Sequence, residues 1–142
     1  TYCIQFVPPA GSGLAPQWWK AATTLGAVSE ITVNGVMDGF DASLARGFTV
    51  SGRVTSGGAP AASAAVWANV APRSSFYSAA VALTDASGNY QLIVPAGTYY
   101  LRVVFNAPKN WYWNGTSQPV AVCPCSALTV QTDLPNVNVA IH

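Results

Sequence analysis

Along most of this chain apolar and polar residues alternate with a period of two, the signature of a half-buried β-strand. In residues 48–54 the alternation puts Phe48, Val50 and Val54 on one side. Residues 64–70 follow, with Val66 and Val70 on one face and Trp67 on the other, and residues 76–83 supply a third strand. Tyr90, Leu92 and Val94 define the inward face of a fourth, and Tyr99, Leu101, Val103 and Phe105 that of a fifth. Turn-forming residues gather between these stretches, at 56–60, 85–89 and 95–98, and Gly88 sits where a tight turn needs positive φ. No stretch sustains a helical period, although residues 17–25 have room for one short helical turn. Strands at this spacing predict an antiparallel sandwich of two sheets.

Part of the pattern occurs twice. The chain opens TYCIQFVPPA, and from Thr98 it reads TYYLRVVFNA, so that Tyr2, Ile4 and Phe6 match Tyr99, Leu101 and Val103. A proline-containing loop with a tryptophan cluster follows each, APQWWK at 15–20 and APKNWYW at 107–113. Then Ile31, Thr32 and Val33 match Leu128, Thr129 and Val130, and GFDASL at 39–44 matches NVNVAI at 136–141. The first and last matches share an offset of 97 residues. Four matches in order at a shared offset predict an internal repeat.

Residues 47–97 occur once and read as the front half of that repeat. The chain then divides into a complete Ig-like β-sandwich at 47–142 and, at 1–46, a second copy of its C-terminal half. A sandwich closes its core only when both sheets are present. Residues 1–46 alone leave Tyr2, Ile4, Phe6, Phe40, Ala42 and Leu44 without cover. Burying one large apolar side chain is worth roughly 1.5–3 kcal/mol, and open strand edges pair with other chains. The half copy is expected to need a partner: a copy of the same protein or an adjacent repeat.

The stretch SGRVTSGGAPAASAAVWANV, with TDASGNYQLIVPAGTYYLRV after it, resembles the carboxypeptidase regulatory-like domains, a transthyretin-like sandwich family. Gly52 and Val54, Ala64 and Val66, Thr84, Asp85, Gly88 and Tyr90, and the run from Pro95 to Tyr99 fit that family's pattern. The resemblance covers 47–142 as a full copy and 1–46 as a partial one. It implies an all-β module with no shared active site, used in tandem in secreted or surface proteins. Related adhesin domains carry a Lys–Asn cross-link. Here the only lysines, Lys20 and Lys109, fall in loops and Arg53 occupies the first strand, so that cross-link is not expected.

Composition sharpens the picture. Hydrophobic residues make up 51% and charged residues 8% of the 142 positions, against about 25% charged in ordinary domains. Such a chain is not disordered. Its net charge of +1 and lack of a basic run argue against a nucleic-acid partner. So few charges on so apolar a chain suit a secreted protein whose surface is covered by Ser, Thr and Asn, or by assembly. No apolar run approaches the roughly 20 residues of a membrane helix. The chain begins at Thr1 without Met or signal peptide, and is expected to be a processed product or a piece of something longer.

Chemistry is scarce. The acids are Glu30, Asp38, Asp41, Asp85 and Asp133; only Asp38 and Asp41 lie close together, at a strand end, and Asp85 is placed to cap its own turn. His142, the single histidine, stands at the terminus, so neither a Ser-His-Asp arrangement nor a zinc site is expected, and no cofactor is implied. Of the three cysteines, Cys123 and Cys125 are too close for a relaxed loop, so Cys3 with one of them is the expected bridge; three inert thiols are the alternative. Asn114, Gly115 and Thr116 form a glycosylation sequon.

The tryptophans are the remaining candidates. Trp18 and Trp19, then Trp111, Tyr112 and Trp113, occupy equivalent loops or edge strands, with Gln17, Lys20 and Asn114 nearby. Flat aromatic faces suit packing against a neighbouring module or subunit, or stacking on sugar rings. Two functions compete: a non-catalytic extracellular structural module that assembles head-to-tail into a fibre or surface array by sharing strands or sheets, and a polysaccharide-binding module using exposed tryptophans. An enzyme is not expected.

Overall fold

Two short strands, β1 (Gln5–Phe6) and β2 (Gln17–Trp18), pair antiparallel at the start of the chain. Two 3-10 turns follow, Trp19–Ala21, inside the 17–25 stretch that has room for one helical turn, and Leu25–Ala27 after it. The computed structural model describes residues 1–72, 78–106, 110–116 and 125–141. The sandwich is built from β3 (Phe48–Ser56), β4 (Ala59–Pro60), β5 (Ala65–Asn69), β6 (Ser78–Leu83), β7 (Asn89–Val94) and β8 (Gly97–Val104). Three short strands complete it: β9 (Asn110–Tyr112), β10 (Leu128–Val130) and β11 (Val139–Ile141). No α-helix occurs among the described residues.

One sheet runs β10-β8-β5-β6, with β9 also on β8; the other is centred on β3, which carries β7, β4 and β11. The period-two alternation sends Val50 and Val54 of β3 inward to meet Tyr90, Leu92 and Val94 of β7. Opposite them lie Val66 and Ala68 of β5 and Tyr99, Leu101 and Val103 of β8, all buried. Both faces therefore contribute to one dry core, the arrangement that makes a sandwich stable.

Polar groups finish the closure. The Thr84 hydroxyl, buried, accepts from the Ala64 N–H and donates to the Ala61 carbonyl, so a loop crossing the core's edge leaves neither group unpaired. In the turn before β7, Asp85 Oδ1 accepts from the N–H groups of Ser87 (2.8 Å) and Asn89 (2.9 Å), and Gly88 takes φ +79°. These bonds, the Asn89 N–H first, hold the Asp85 carboxyl below its usual range, as expected for a carboxylate that caps its own turn.

Several expectations are corrected. The sandwich is not wholly antiparallel: β11 runs parallel to β3, with Val139 opposite Val54, because the last segment returns along the far side of β3 from β7. Val70 is exposed instead of facing the core with Val66, since the register between β5 and β6 shifts at Ala68/Asn69 and ends the alternation. Residues 39–44 form no strand, and residues 31–33 contribute a single bridge at Ile31. The third strand is described from Ser78 onward.

Candidate functional site

The acids do not assemble into a site. Asp38, Asp41 and Glu30 are exposed, Asp85 serves its turn, and Asp133 Oδ1 accepts from the Thr49 N–H at 2.8 Å. Among the described residues no group of three or more His, Cys, Asp or Glu side chains is placed to hold a metal ion. His142 lies outside the described residues, as do Lys109, Pro108 and Cys123.

The expected bridge from Cys3 is not formed. Cys3 is exposed with a free thiol, while Cys125 is disulfide-bonded. Local pairing explains the separation. Cys3 lies between Tyr2, which bridges Ile31, and Ile4, whose carbonyl accepts from the Trp19 N–H. Cys125 instead leads into Ser126, whose N–H donates to Trp113 in the sandwich.

The tryptophans separate into two environments. Trp111 and Trp113, half-buried, pack against the sandwich core. Tyr112 pairs across the ladder with Arg102, whose guanidinium stands 5.0 Å over the Trp67 ring. Trp18 lines an open groove of about 510 Å³, with Val7 and Pro16 on one bank and Trp67, Val81 and Ile93 on the other. Trp19 meets Phe40 edge-on at 5.1 Å, and Lys20 Nζ lies 4.6 Å from the centre of its ring. In the sequon, Asn114 Oδ1 accepts from both the hydroxyl (2.8 Å) and the N–H (3.3 Å) of Thr116.

The most informative geometry is a set of paired contacts. Tyr2 bridges Ile31 antiparallel, and Tyr99 pairs antiparallel with Leu128, each residue 97 positions after its counterpart. Gln5 opposes Trp18 as Arg102 opposes Tyr112, and Phe6 opposes Gln17 as Val103 opposes Trp111. The Trp19 N–H donates to Ile4 at 2.9 Å; the Trp113 N–H donates to Leu101 at 3.1 Å. Gly39 and Asn136 both take positive φ, +75° and +63°.

The surroundings of these matched residues differ. Tyr2 is 65% exposed and Tyr99 4%; Val33 is 51% exposed and Val130 fully buried. Met37 and Ala42 are exposed, while Val139, the counterpart of Ala42, is buried. Ile4, Phe6, Phe40 and Leu44 are half-buried. Ile31, like its counterpart Leu128, is buried, so within the first 46 residues the large apolar side chains left open are Tyr2, Val7, Val33, Val36 and Met37.

Sequence reasoning gave Gly52 only a place in a pattern. A side chain there would run into the backbone of Val137, so the last segment lies directly against β3 at this point. A glycine inside a strand is the available signal for such an approach. No protein-family model matches the chain, and no curated protein matches it.

Proposed function

We propose that this chain is a non-catalytic structural module of an extracellular fibre or surface array, one that joins its neighbours by sharing a sheet. In this reading 47–142 is a complete Ig-like sandwich of the carboxypeptidase regulatory-like kind, and 1–46 is the back half of a second one. One observation carries it: Tyr2–Ile31 and Tyr99–Leu128 make the same antiparallel pair 97 residues apart, yet Tyr2 is open where Tyr99 is closed. A face shaped like a core half and left uncovered is an interaction surface. The low charge of the chain suits a surface that assembly conceals.

Polysaccharide binding is less well supported, because Trp111 and Trp113 turn toward the core and so do not offer a free aromatic platform matching Trp18 and Trp19. Negative-stain microscopy of native material tests the structural reading. Filaments or ordered arrays with a one-module repeat are expected; dispersed single molecules at high concentration overturn it. Retention on an insoluble glycan that is lost in Trp18→Ala/Trp19→Ala would favour the sugar-binding role.

A further inference from the structure

We infer that residues 36–44 are an unfilled strand position that takes as its partner a front-half sheet of the β3–β7 type, contributed by polypeptide other than residues 47–97 of the same molecule. The inference rests on reading 1–46 as a back half.

What fills the matching position is visible within the chain. Residues 133–141 are held along β3 by a ladder of bonds: the Leu134 N–H donates to Thr49 at 2.8 Å, the Ser51 N–H to Leu134 at 3.0 Å, and the Val137 N–H to Ser51 at 2.9 Å. Asn138 Oδ1 adds an acceptor for the Arg53 N–H at 2.9 Å. Residues 36–44, 97 positions earlier, make no backbone hydrogen bond with any described residue. A backbone segment whose N–H and C=O groups have no partners is the condition in which strand addition occurs.

The segment already carries the features its counterpart uses. Gly39 takes the left-handed turn that Asn136 takes. Met37, Phe40, Ala42 and Leu44 stand where Leu134, Val137, Val139 and Ile141 face the core. Asp41 stands at the position of Asn138, and its carboxylate oxygens can accept the same strand N–H. The partner is thereby specified: an alternating strand presenting apolar side chains like Val50 and Val54, with a glycine like Gly52 where the opposing carbonyl passes.

A second copy of these 142 residues alone is a poor donor, so the neighbour that completes the array must bring a front half of its own to spare. Each molecule has two back halves and one front half, and 98–142 already occupies that front half. A copy that lent its 47–97 sheet would bare its own 98–142, so the exchange uncovers as much apolar surface as it covers.

The test joins an additional copy of residues 47–97 ahead of Thr1, so that the new Gly–Thr junction repeats Gly97–Thr98. Hydrogen–deuterium exchange is then followed by mass spectrometry in the extended and original chains. Exchange at 37–44 is expected to slow by about tenfold or more in the extended chain, with 134–141 unchanged. Gly52→Val in the added segment alone is expected to abolish that slowing, because its side chain blocks the opposing carbonyl. Equal exchange at 37–44 in both chains overturns the inference. So does protection in the original chain that grows with concentration while 134–141 loses protection, since that identifies a second copy as the occupant. Protection on extension, with native material that forms no array, leaves the strand position standing and removes only the structural role.

Discussion

The phenolic hydroxyl of Tyr90 donates to the carbonyl oxygen of Val137 at 2.6 Å, tying β7 to the last segment of the chain from inside the sandwich. Burial pushes the ionisation of Tyr90 well above its ordinary value of 10.0. The folded state therefore holds this proton more tightly than the unfolded state does. The resulting stability is fully present below pH 10.0, the unfolded value, and is lost as the pH rises beyond it. Tyr90→Phe leaves the Val137 carbonyl without this donor and is expected to cost about 1–2 kcal/mol at neutral pH. Urea unfolding at pH 7 and across the alkaline range checks both effects: the variant should be less stable at pH 7 and lose less stability as the pH climbs.

Gly52→Val is expected to be far more damaging than its small size suggests. The new side chain meets the Val137 backbone, which cannot move aside as a flexible side chain would. Overpacking of this sort costs about 1–3 kcal/mol, and here it also breaks the bond from the Val137 N–H to Ser51. A fall in the urea midpoint by an amount equivalent to about 3 kcal/mol is expected; an unchanged midpoint would mean that the segment does not lie against β3.

Tyr2 and Tyr99 offer a matched pair. Tyr99 is buried and donates its hydroxyl to the Pro95 carbonyl at 2.9 Å, whereas Tyr2 is largely exposed. Tyr99→Ala should cost about 3–5 kcal/mol, the range for removing a buried aromatic ring. Tyr2→Ala should stay within about 0.5 kcal/mol in the isolated chain. Thermal unfolding of the two variants side by side measures the contrast. Equal losses would show that the N-terminal face is already covered.

Cys3 is open to solvent with a free thiol. A maleimide should label it in the native protein without denaturant, and Cys3→Ser should abolish that labelling while leaving stability within about 0.5 kcal/mol. A chain that resists labelling until denatured or reduced would contradict the free, exposed thiol.

Much of this architecture can be read along the sequence because it follows from local rules. Side chains on a strand alternate between faces, so Val50, Val54, Leu92, Val94, Leu101 and Val103 are identifiable as core residues from their spacing. The Asp85–Asn89 turn is equally local, since its bonds span at most four residues. Thr84 is harder to recognise: its hydroxyl bridges Ala61 and Ala64, a role defined by residues 23 and 20 positions away. Trp111 illustrates the same limit, because its place in a tryptophan cluster does not show that it packs against the core.

The sequence by itself determined the all-β class and the inward residues of the long strands, because periodicity is a property of the chain read in order. Only the tertiary structure decided that β11 lies parallel to β3, that Val70 turns outward past a shifted register, that Cys3 stands free, and that 39–44 forms no strand. Each of those depends on which distant segment comes alongside. A strand exists only where a neighbour supplies the other side of its hydrogen bonds: residues 139–141 have β3 beside them, and residues 39–44, with a matching pattern, have no such neighbour among the described residues.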